Sequence, residues 1–421
     1  MHSVPASRRL GTTLLVSAMM VALNACGGGR SSTAPTSVSP STSLPASTST
    51  LPAPTSSSST VETTAPGPST TRSCSNESVL SGWPVARRAA QLIVVPVLNF
   101  SAATIDVARS AGAGGMLVLG PAAPPANLAA ELAAAAPGVT LLAMADQEGG
   151  GVQRLGPPVP AMPWPRVMAE TMTPAEVQDL ATSVGASMRS LGVDVNLAPV
   201  LDLDAGPGPS ATNPDGLRSF SAVPATASRY GVAFMHGMQA AGIVPVIKHF
   251  PGLGGSSGNT DYGPATTQPL AALRSAGLIP FQAAIAAGAP AVMVANAAVP
   301  GLTTLPASLS PAVVNGLLRQ DLGFDGLVLT DSLSAGAIRQ SGYQLPQAAV
   351  AAIGAGADMI LFGSTLTPAD VALLSPGNVS ATINQIVGAI VAATANGAIS
   401  TARLNAAVSH VLAVKHTQLC G

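Results

Sequence analysis

Two stretches of the sequence place polar side chains directly after apolar segments, where they could do chemistry. The apolar segment Gly242–Ile247 predicts a buried strand, and Lys248, His249 and, after a glycine- and serine-rich stretch, Asp261 follow it. Asp331 ends a second apolar segment. Two carboxyl groups delivered by separate strands are what cleavage of a glycosidic bond requires. The spacing therefore predicts a hydrolytic site made where several strands end.

The elements that must position these residues form a regular series. Short apolar segments recur along the chain, bounded by glycine or proline and separated by helical patterns. Because they are continuously apolar, they predict strands that are covered on both faces, as in a parallel sheet. The segments are Gln91–Leu98, Gly115–Leu119, Leu141–Ala145, Val193–Val200, Val244–Lys248, Ala291–Ala295, Gly326–Thr330 and Asp358–Phe362.

This alternation of strands and helices predicts an α/β fold, a single-domain (β/α)8 TIM-type barrel. An open doubly wound sheet is the alternative, and it would normally show a glycine-rich phosphate-binding loop after its first strand. The glycine-rich stretch Gly112–Gly115 precedes a strand instead. Helix starts are predicted at Thr173-Pro174, Ser310-Pro311 and Thr367-Pro368, and helix ends at Gly192, Gly242, Gly288 and Gly323.

In a barrel of this type the active site lies at the carboxyl ends of the strands. The predicted strand interiors carry almost no charge, whereas most of their polar residues stand at these ends. This segregation favours a polar pocket at one mouth of the barrel. The strand-end residues are Asp146, Glu148, Arg154, Asp202, Asp204, Lys248, His249, Asn296 and Asp331.

Several of these residues belong to motifs that resemble glycoside hydrolase family 3, in its branch of single-domain bacterial β-N-acetylhexosaminidases. The resemblance covers residues 73–421 and implies a retaining mechanism through a covalent glycosyl–enzyme intermediate. The motifs are Asp-Gln-Glu-Gly-Gly-x-Val-Gln-Arg at 146–154, Ala-Pro-Val-Leu-Asp at 198–202, Arg-Ser-Phe at 218–220, Lys-His-Phe-Pro-Gly at 248–252 and Thr-Asp-Ser-Leu at 330–333.

By this resemblance Asp331 is the nucleophile, because an ionised carboxylate can attack the anomeric carbon. The structural alternative is an aspartate that caps the next helix. The resemblance further implies that the sugar hydroxyls are held by Asp146, Arg154, Arg218, Lys248 and His249.

Three of the polar residues also have structural interpretations. Glu148 can be explained equally well as an internal charge partner and as a functional residue. His249 could be a core histidine, although its place beside Lys248 at a strand end favours ligand contact. For Asp202 we expect a structural ion pair with one of the arginines.

The sequence departs from the family pattern where relatives carry an Asp-Ser-His dyad whose histidine is the acid/base. Asn259-Thr260-Asp261 stands at that place. In one interpretation Asp261 is the acid/base, with a pKa raised by burial or by the nucleophile, and Asn259 orients it without adding a negative charge. In the other, the dyad is lost and the protein binds glycans or turns over slowly. The first interpretation is preferred.

The N-terminal part of the chain predicts export. Arg8 and Arg9 precede a short apolar segment, and the run to Cys26 resembles a lipobox, which predicts a lipoprotein signal peptide over residues 1–25 and a lipid anchor on Cys26. Residues 26–72 are rich in Ser, Thr and Pro and predict a disordered tether. In an exported protein Cys74 and Cys420 predict a disulfide that joins the ends of the domain.

Composition limits the classes of partner. Charged residues make up 9% of the chain and the net charge is −1, without a basic patch, so nucleic acid is not an expected partner. No metal-ligand cluster or nucleotide-binding loop is visible, and we expect no metal, no cofactor and a monomer. The expected partners are amino-sugar glycans of the cell wall and, through the lipid anchor alone, the outer face of the plasma membrane. The alternatives are a β-glucosidase-like exo-glycosidase and a non-catalytic glycan-binding lipoprotein.

Overall fold

The computed structural model describes residues 76–420 except 122–123, 126 and 134–138. The chain divides into two compact units, Met1–Thr70 and Thr71–Gly421, and the described residues belong to the second. The predictions of a signal peptide, a lipidated Cys26 and a tether lie outside the described residues. The same holds for Cys74, so its disulfide with Cys420 stays a prediction.

Eight parallel strands form one sheet, which confirms the predicted barrel. Each barrel strand overlaps an apolar segment singled out above, and the fifth barrel strand continues two residues past its segment to Phe250. A bridge between Leu329 and Met359 links the last two strands and brings the edges of the sheet together. The barrel strands are β1 (Ile93–Val97), β2 (Gly115–Val118), β3 (Leu142–Ala145), β6 (Val195–Asn196), β7 (Val244–Phe250), β8 (Ala291–Val294), β9 (Leu327–Thr330) and β10 (Ile360–Leu361); β4 (Gln147–Gly149) and β5 (Val152–Gln153) form a separate hairpin.

Helices surround the sheet and bury their apolar sides against it. Short 3-10 turns lie at Gly216–Arg218 and Ala307–Leu309, and π-helical segments at Leu273–Gly277 and Ala312–Asp321. The α-helices are α1 (Asn76–Ser81), α2 (Val85–Ala90), α3 (Ala102–Ser110), α4 (Leu128–Ala133), α5 (Pro165–Thr171), α6 (Pro174–Ser190), α7 (Pro224–Ala240), α8 (Leu270–Ala272), α9 (Ile279–Ala286), α10 (Gly336–Gln340), α11 (Leu345–Ala355), α12 (Pro368–Leu373), α13 (Pro376–Ala395) and α14 (Thr401–Val414).

The predicted helix boundaries hold in most places. Thr173 forms a capping box with Glu176, and the Thr367 side chain accepts the Asp370 N–H. The helix after Ser310 starts as a π-helix at Ala312 without a side-chain cap. Glycines with positive φ stand where helices were expected to end, at Gly192, Gly242, Gly288 and Gly323.

The β4–β5 hairpin was not predicted as a separate element, and it depends on glycine. Gly150 has φ +57°, and a Cβ there would lie 1.9 Å from the Trp164 ring. Gly149 has φ +114°, and its Cβ would lie 2.2 Å from the carbonyl oxygen of Pro163. Only glycine lets the chain turn this tightly against the residues before α5. The hairpin brings Glu148 back over the mouth of the barrel.

Helix α13 is long and apolar enough by composition to cross a membrane. In the fold it packs on α2, α3 and α11, and it buries one face that includes Val379, Ile383, Ile386 and Ile390. These contacts are those of an outer helix of the barrel.

Candidate active site

A cavity of about 390 Å³ opens at the carboxyl ends of the barrel strands. Every residue that the sequence proposed for catalysis or sugar binding lines it. Those residues come from the ends of β3, β7 and β9, from the β4–β5 hairpin and from the loops that precede α7 and follow β7. They are Asp146, Arg154, Arg218, Lys248, His249, Asn259, Asp261 and Asp331.

The floor of the cavity is a network of buried charges. Lys248 Nζ lies 2.7 Å from Asp146 Oδ1 and 2.6 Å from Glu148 Oε1. Arg218 makes a bidentate pair with Glu148, with its Nε and Nη2 atoms each 2.8 Å from a carboxylate oxygen. Glu148 is thus the internal charge partner of both cations. Lys248 and Arg218 are held in place before any ligand binds.

The charges of this network fix one another's protonation states. Burial alone would raise the pKa of Glu148, but the Arg218 and Lys248 charges outweigh it and hold that pKa well below its ordinary value. Burial opposes the charge of Lys248, yet Asp146 and Glu148 raise its pKa. Glu148, Arg218 and Lys248 are therefore ionised at neutral pH.

His249 pairs with Asp202, which corrects the expectation that Asp202 binds an arginine. The Nδ1 atom of His249 lies 2.7 Å from Asp202 Oδ2. The Asp202 carboxylate also accepts the backbone N–H groups of His249 (3.1 Å) and Leu253 (2.7 Å). Because the carboxylate can only accept, Nδ1 carries the proton and Nε2 is left as an acceptor facing Arg218 Nη2 at 3.4 Å. Burial and Arg218 lower the pKa of His249 to about 4, which keeps the ring neutral.

Asp215 joins this pair and was not singled out from the sequence. It is fully buried, and neither of its carboxyl oxygens accepts a hydrogen bond from a donor group of the described residues. Asp202, Asp215 and His249 each place one possible ligand atom within 4.8 Å of the others. A metal ion would have to displace the N–H groups already bound to Asp202. Burial and the Asp202 carboxylate raise the pKa of Asp215 well above its ordinary value, so a proton satisfies this site more simply.

The loop that carries Arg218 is tied to α5 by one arginine. Arg166 donates from Nε to the carbonyl of Ser219 at 3.2 Å and from Nη2 to that of Gly216 at 3.0 Å. Its Nη2 atom also bonds the carbonyl of Asp204. These bonds supply donors to backbone carbonyls that lie outside regular structure. The loop is thereby held in one conformation around Arg218.

Asp331 follows β9 and lies half-buried in the cavity wall. One of its oxygens accepts the Ser332 N–H at 2.7 Å, which leaves the other free of protein donors among the described residues. Burial raises the pKa of Asp331; His249 and Lys248 oppose this rise, and the Asp261 carboxyl adds to it. The second oxygen is thus available to a ligand.

The loop that carries Asp261 is folded over the cavity and packed against the start of α10. Gly336 N donates to the Asp261 carbonyl at 2.9 Å, and Ala337 N donates to the Thr260 carbonyl at 2.9 Å. A Cβ on Gly336 would lie 2.4 Å from the carbonyl carbon of Tyr262. Burial raises the pKa of Asp261, Arg218 opposes this, and Asp146 adds to it.

Asn259 contacts the backbone of this loop, not the carboxyl group of Asp261. Its Oδ1 accepts the Asp261 N–H at 3.0 Å, and its Nδ2 donates to the Ser210 carbonyl at 3.0 Å. Asn259 therefore ties the loop after β7 to the loop before α7. It positions Asp261 through the main chain.

Arg154 extends from the end of the hairpin into the cavity. Its Nε is buried without a hydrogen-bond partner among the described residues, and no ion pair involves it there. A buried donor of this kind is costly unless a ligand or water satisfies it. The guanidinium is thus suited to a polar group of a bound molecule.

Comparisons with known proteins agree with this geometry. The Glycosyl hydrolase family 3 N terminal domain matches residues 88–414. The beta-hexosaminidase LpqI of Mycobacterium tuberculosis is 39% identical over 243 residues, which are 56% of this chain and 62% of that protein. This alignment thus spans less than two thirds of the relative's length.

Two solved structures share the fold over most of the chain. M. tuberculosis LpqI superposes with a TM-score of 0.70 at 32% identity and covers 82% of this chain and 97% of its own. A glycoside hydrolase family 3 β-N-acetylglucosaminidase from Paenibacillus has a TM-score of 0.71 at 32% identity, with 79% and 62% covered. Together with the match over residues 88–414, these likenesses confirm that the chain belongs to glycosyl hydrolase family 3.

Proposed function

We propose that this protein is a retaining exo-β-N-acetylhexosaminidase that removes terminal N-acetylglucosamine from cell-wall-derived glycans. The observation that carries the proposal is one cavity in which two carboxyl groups, Asp331 and Asp261, face a floor of fixed charges. The names of the relatives, beta-hexosaminidase and β-N-acetylglucosaminidase, support the choice of sugar.

In the first step Asp331 is the nucleophile. Its ionised oxygen attacks the anomeric carbon, a bond to the carboxylate forms, and the bond to the leaving oxygen breaks. The free oxygen of Asp331 supports this role because its other oxygen is already held by the Ser332 N–H. The charge that spreads over the sugar ring in the transition state is opposite to that of the carboxylate.

Asp261 donates the proton that the leaving oxygen needs. A carboxyl group with a raised pKa retains its proton close to neutral pH, and burial of Asp261 acts in that direction. In the second step the resulting carboxylate takes a proton from water, which attacks the anomeric carbon and releases Asp331. The packing of residues 260–261 on α10 supports a fixed position for this group.

The charged floor binds the terminal sugar. Lys248 and Asp146 offer an ammonium donor and a carboxylate acceptor side by side, 2.7 Å apart, which suits a pair of neighbouring hydroxyls. Arg154 adds a buried Nε donor that no described residue binds, and His249 offers an acceptor nitrogen. Arg218 contributes mainly by orienting Glu148 and His249, since most of its donors are already used.

The test is hydrolysis of matched aryl glycosides by the purified protein. We expect turnover of the aryl β-N-acetylglucosaminide to exceed that of the aryl β-glucoside, and Asp331→Asn to abolish both. A preference for the glucoside would favour the β-glucosidase alternative. Binding of N-acetylglucosamine without turnover of either would favour a glycan-binding lipoprotein.

We further propose that the protein is exported and anchored by a lipid on Cys26, as the pattern of residues 8–26 supports. Radiolabelled palmitate should enter the wild type and not Cys26→Ala, which should leave the membrane fraction. Equal labelling of the two forms would contradict the anchor.

We also propose a disulfide between Cys74 and Cys420. Asn76, two residues after Cys74, donates to the Thr417 carbonyl at 3.2 Å and accepts the Leu419 N–H at 2.7 Å, which supports the pairing because Asn76 lies beside the segment that leads to Cys420. Mass spectrometry of a non-reduced digest should detect one peptide that contains both cysteines. Recovery of the two peptides separately would refute the bond.

A further inference from the structure

Asp215 is a buried carboxyl group beside the cavity to which the proposed reaction gives no role. It precedes the 3-10 turn that carries Arg218, and the Arg218 N–H donates to the Asp215 carbonyl at 3.1 Å. Its side chain is fully buried, and no donor group of the described residues reaches either carboxyl oxygen. An ionised carboxylate at this place would lose its hydration and gain no hydrogen bond in return, which disfavours the charged form.

Four charged or titratable side chains face Asp215 from the elements packed around it. Asp202 and Asp204 follow β6, His249 lies on β7, and Arg218 lies on the same loop as Asp215. Burial raises the pKa of Asp215 most, and the Asp202 and Asp204 carboxyls add to this rise, whereas His249 and Arg218 oppose it. The carboxyls and the burial outweigh the opposing groups, so the neutral form of Asp215 is favoured.

Neither arginine of this loop region forms an ion pair with Asp215 in the described part of the chain. Arg218 places Nε and Nη2 on Glu148, and its Nη1 donates to the Pro214 carbonyl at 2.7 Å. Arg166 donates to backbone carbonyls of the loop. The donors of both arginines are thus directed elsewhere, and a proton is left to neutralise the carboxyl group.

Asp202 offers the acceptor for that proton. A side-chain hydrogen bond joins Asp215 to Asp202. The Asp202 carboxylate also accepts the N–H and the Nδ1–H of His249 and the N–H of Leu253. Burial raises the pKa of Asp202 to about 6, which leaves this carboxyl mainly ionised at neutral pH. Asp202 is therefore the point at which the loop that carries Arg218 meets the end of β7.

We propose that Asp215 is a positioning residue: as a neutral carboxylic acid it donates its proton to the Asp202 carboxylate and fastens the loop that carries Arg218 to the strand that carries His249. Two adjacent buried carboxylates would repel each other, and the shared proton removes this repulsion. The proton on Asp215 does not depend on the proposed function. Its effect on sugar binding rests on that function, because Arg218 orients Glu148 and His249 at the floor of the cavity.

The proton is detected by the pH dependence of unfolding in urea. A carboxyl group that is neutral in the folded protein and ionised in the unfolded chain takes up a proton on folding, so it costs stability as the pH rises from its unfolded to its folded pKa. Between about pH 6 and about pH 8, the unfolding equilibrium constant of the wild type, divided by that of Asp215→Asn, should rise about tenfold per pH unit. Asp321→Asn, which changes a 53% exposed side chain, is the control and should show no such rise.

Sugar binding gives a second measurement, which a purely structural group would not change selectively. Asp215→Leu cannot donate to Asp202, so KM for an aryl β-N-acetylglucosaminide with a good leaving group should rise about tenfold while kcat stays within about threefold. Asp215→Asn, whose amide can donate, should return KM to within about threefold of the wild type. Without wild-type turnover, calorimetric affinity for N-acetylglucosamine replaces KM in the same comparison.

The outcomes separate this proposal from the proposed function. A ratio of unfolding constants that stays constant or falls with pH would show that Asp215 is ionised in the folded protein, and it would overturn the proposal. Loss of wild-type stability on treatment with a metal chelator would do the same, because a metal ion would then take the place of the proton. A KM or affinity of Asp215→Leu equal to that of the wild type would overturn the positioning role. Absence of wild-type turnover would refute the proposed function alone.

Discussion

Replacing Glu148 with glutamine tests whether the charged floor is held by its central carboxylate. Glu148 is 2% exposed and accepts bonds from Arg218 at 2.8 Å and Lys248 at 2.6 Å. The Glu148→Gln change keeps the volume but removes the charge, and it points an amide donor at one of two cations. Breaking a buried ion pair on one side costs about 3–5 kcal/mol, because the partner charge is left uncompensated.

The stability lost in Glu148→Gln is measured by urea denaturation and by thermal unfolding. We expect the free energy of unfolding to fall by about 3–5 kcal/mol, and the melting temperature to fall by about 4–7 °C. The control is Asp321→Asn, which breaks the exposed Arg274–Asp321 pair, with side chains 59% and 53% exposed. That pair should contribute less than about 1 kcal/mol.

The contribution of Glu148 to the free energy of unfolding depends on pH with a fixed sign. The pKa of Glu148 is lower in the folded state than in the unfolded chain, so its stabilisation is fully present above its unfolded pKa and is lost as pH falls through the folded pKa. The stability difference between wild type and Glu148→Gln should therefore be constant near neutral pH and shrink progressively once the pH falls below the unfolded pKa of Glu148. A Glu148→Gln variant as stable as Asp321→Asn would refute the reasoning.

Substitutions at two further positions, Asp215 and Gly336, probe the residues around the cavity. Asp215→Asn keeps a donor toward Asp202 without a charge, so kcat/KM should stay within about threefold of wild type. Asp215→Leu removes that donor and should raise KM clearly, while the melting temperature falls only slightly. A large loss of kcat/KM in Asp215→Asn would show that Asp215 acts as an anion. Gly336→Ala should displace Tyr262 and lower kcat by about tenfold or more, while Gly354→Ala, where a Cβ meets nothing within 4 Å, should keep wild-type activity. Similar kcat values for the two alanine variants would contradict the close packing.

The strands and the place of the site were predictable because both depend on local patterns. A parallel strand covered on both faces is a continuous apolar segment, as in Leu327–Thr330, and a polar residue after it must lie at the barrel mouth. That rule brought Asp146, Lys248 and Asp331 to one cavity. The prediction required only the residue at which each strand ends, and no knowledge of the neighbouring strands.

What was missed depends on tertiary distance or on irregular backbone. The partner of Asp202 is set by where His249 points, and nothing in the spacing distinguishes that histidine from an arginine. Asp215 lies in an irregular loop without periodicity, so its burial has no sequence signal. The β4–β5 hairpin has strands of only a few residues, and its glycine-rich turn gave no alternating pattern.

We propose that Asp261 donates the proton while Asp331 attacks. The most direct test measures kcat/KM of Asp261→Asn on aryl β-N-acetylglucosaminides with good and poor leaving groups. A good leaving group departs without a proton, so its turnover should be partly retained, whereas turnover of the poor one should fall by about 100-fold or more. Equal losses on the two substrates, or wild-type activity on both, would contradict the assignment.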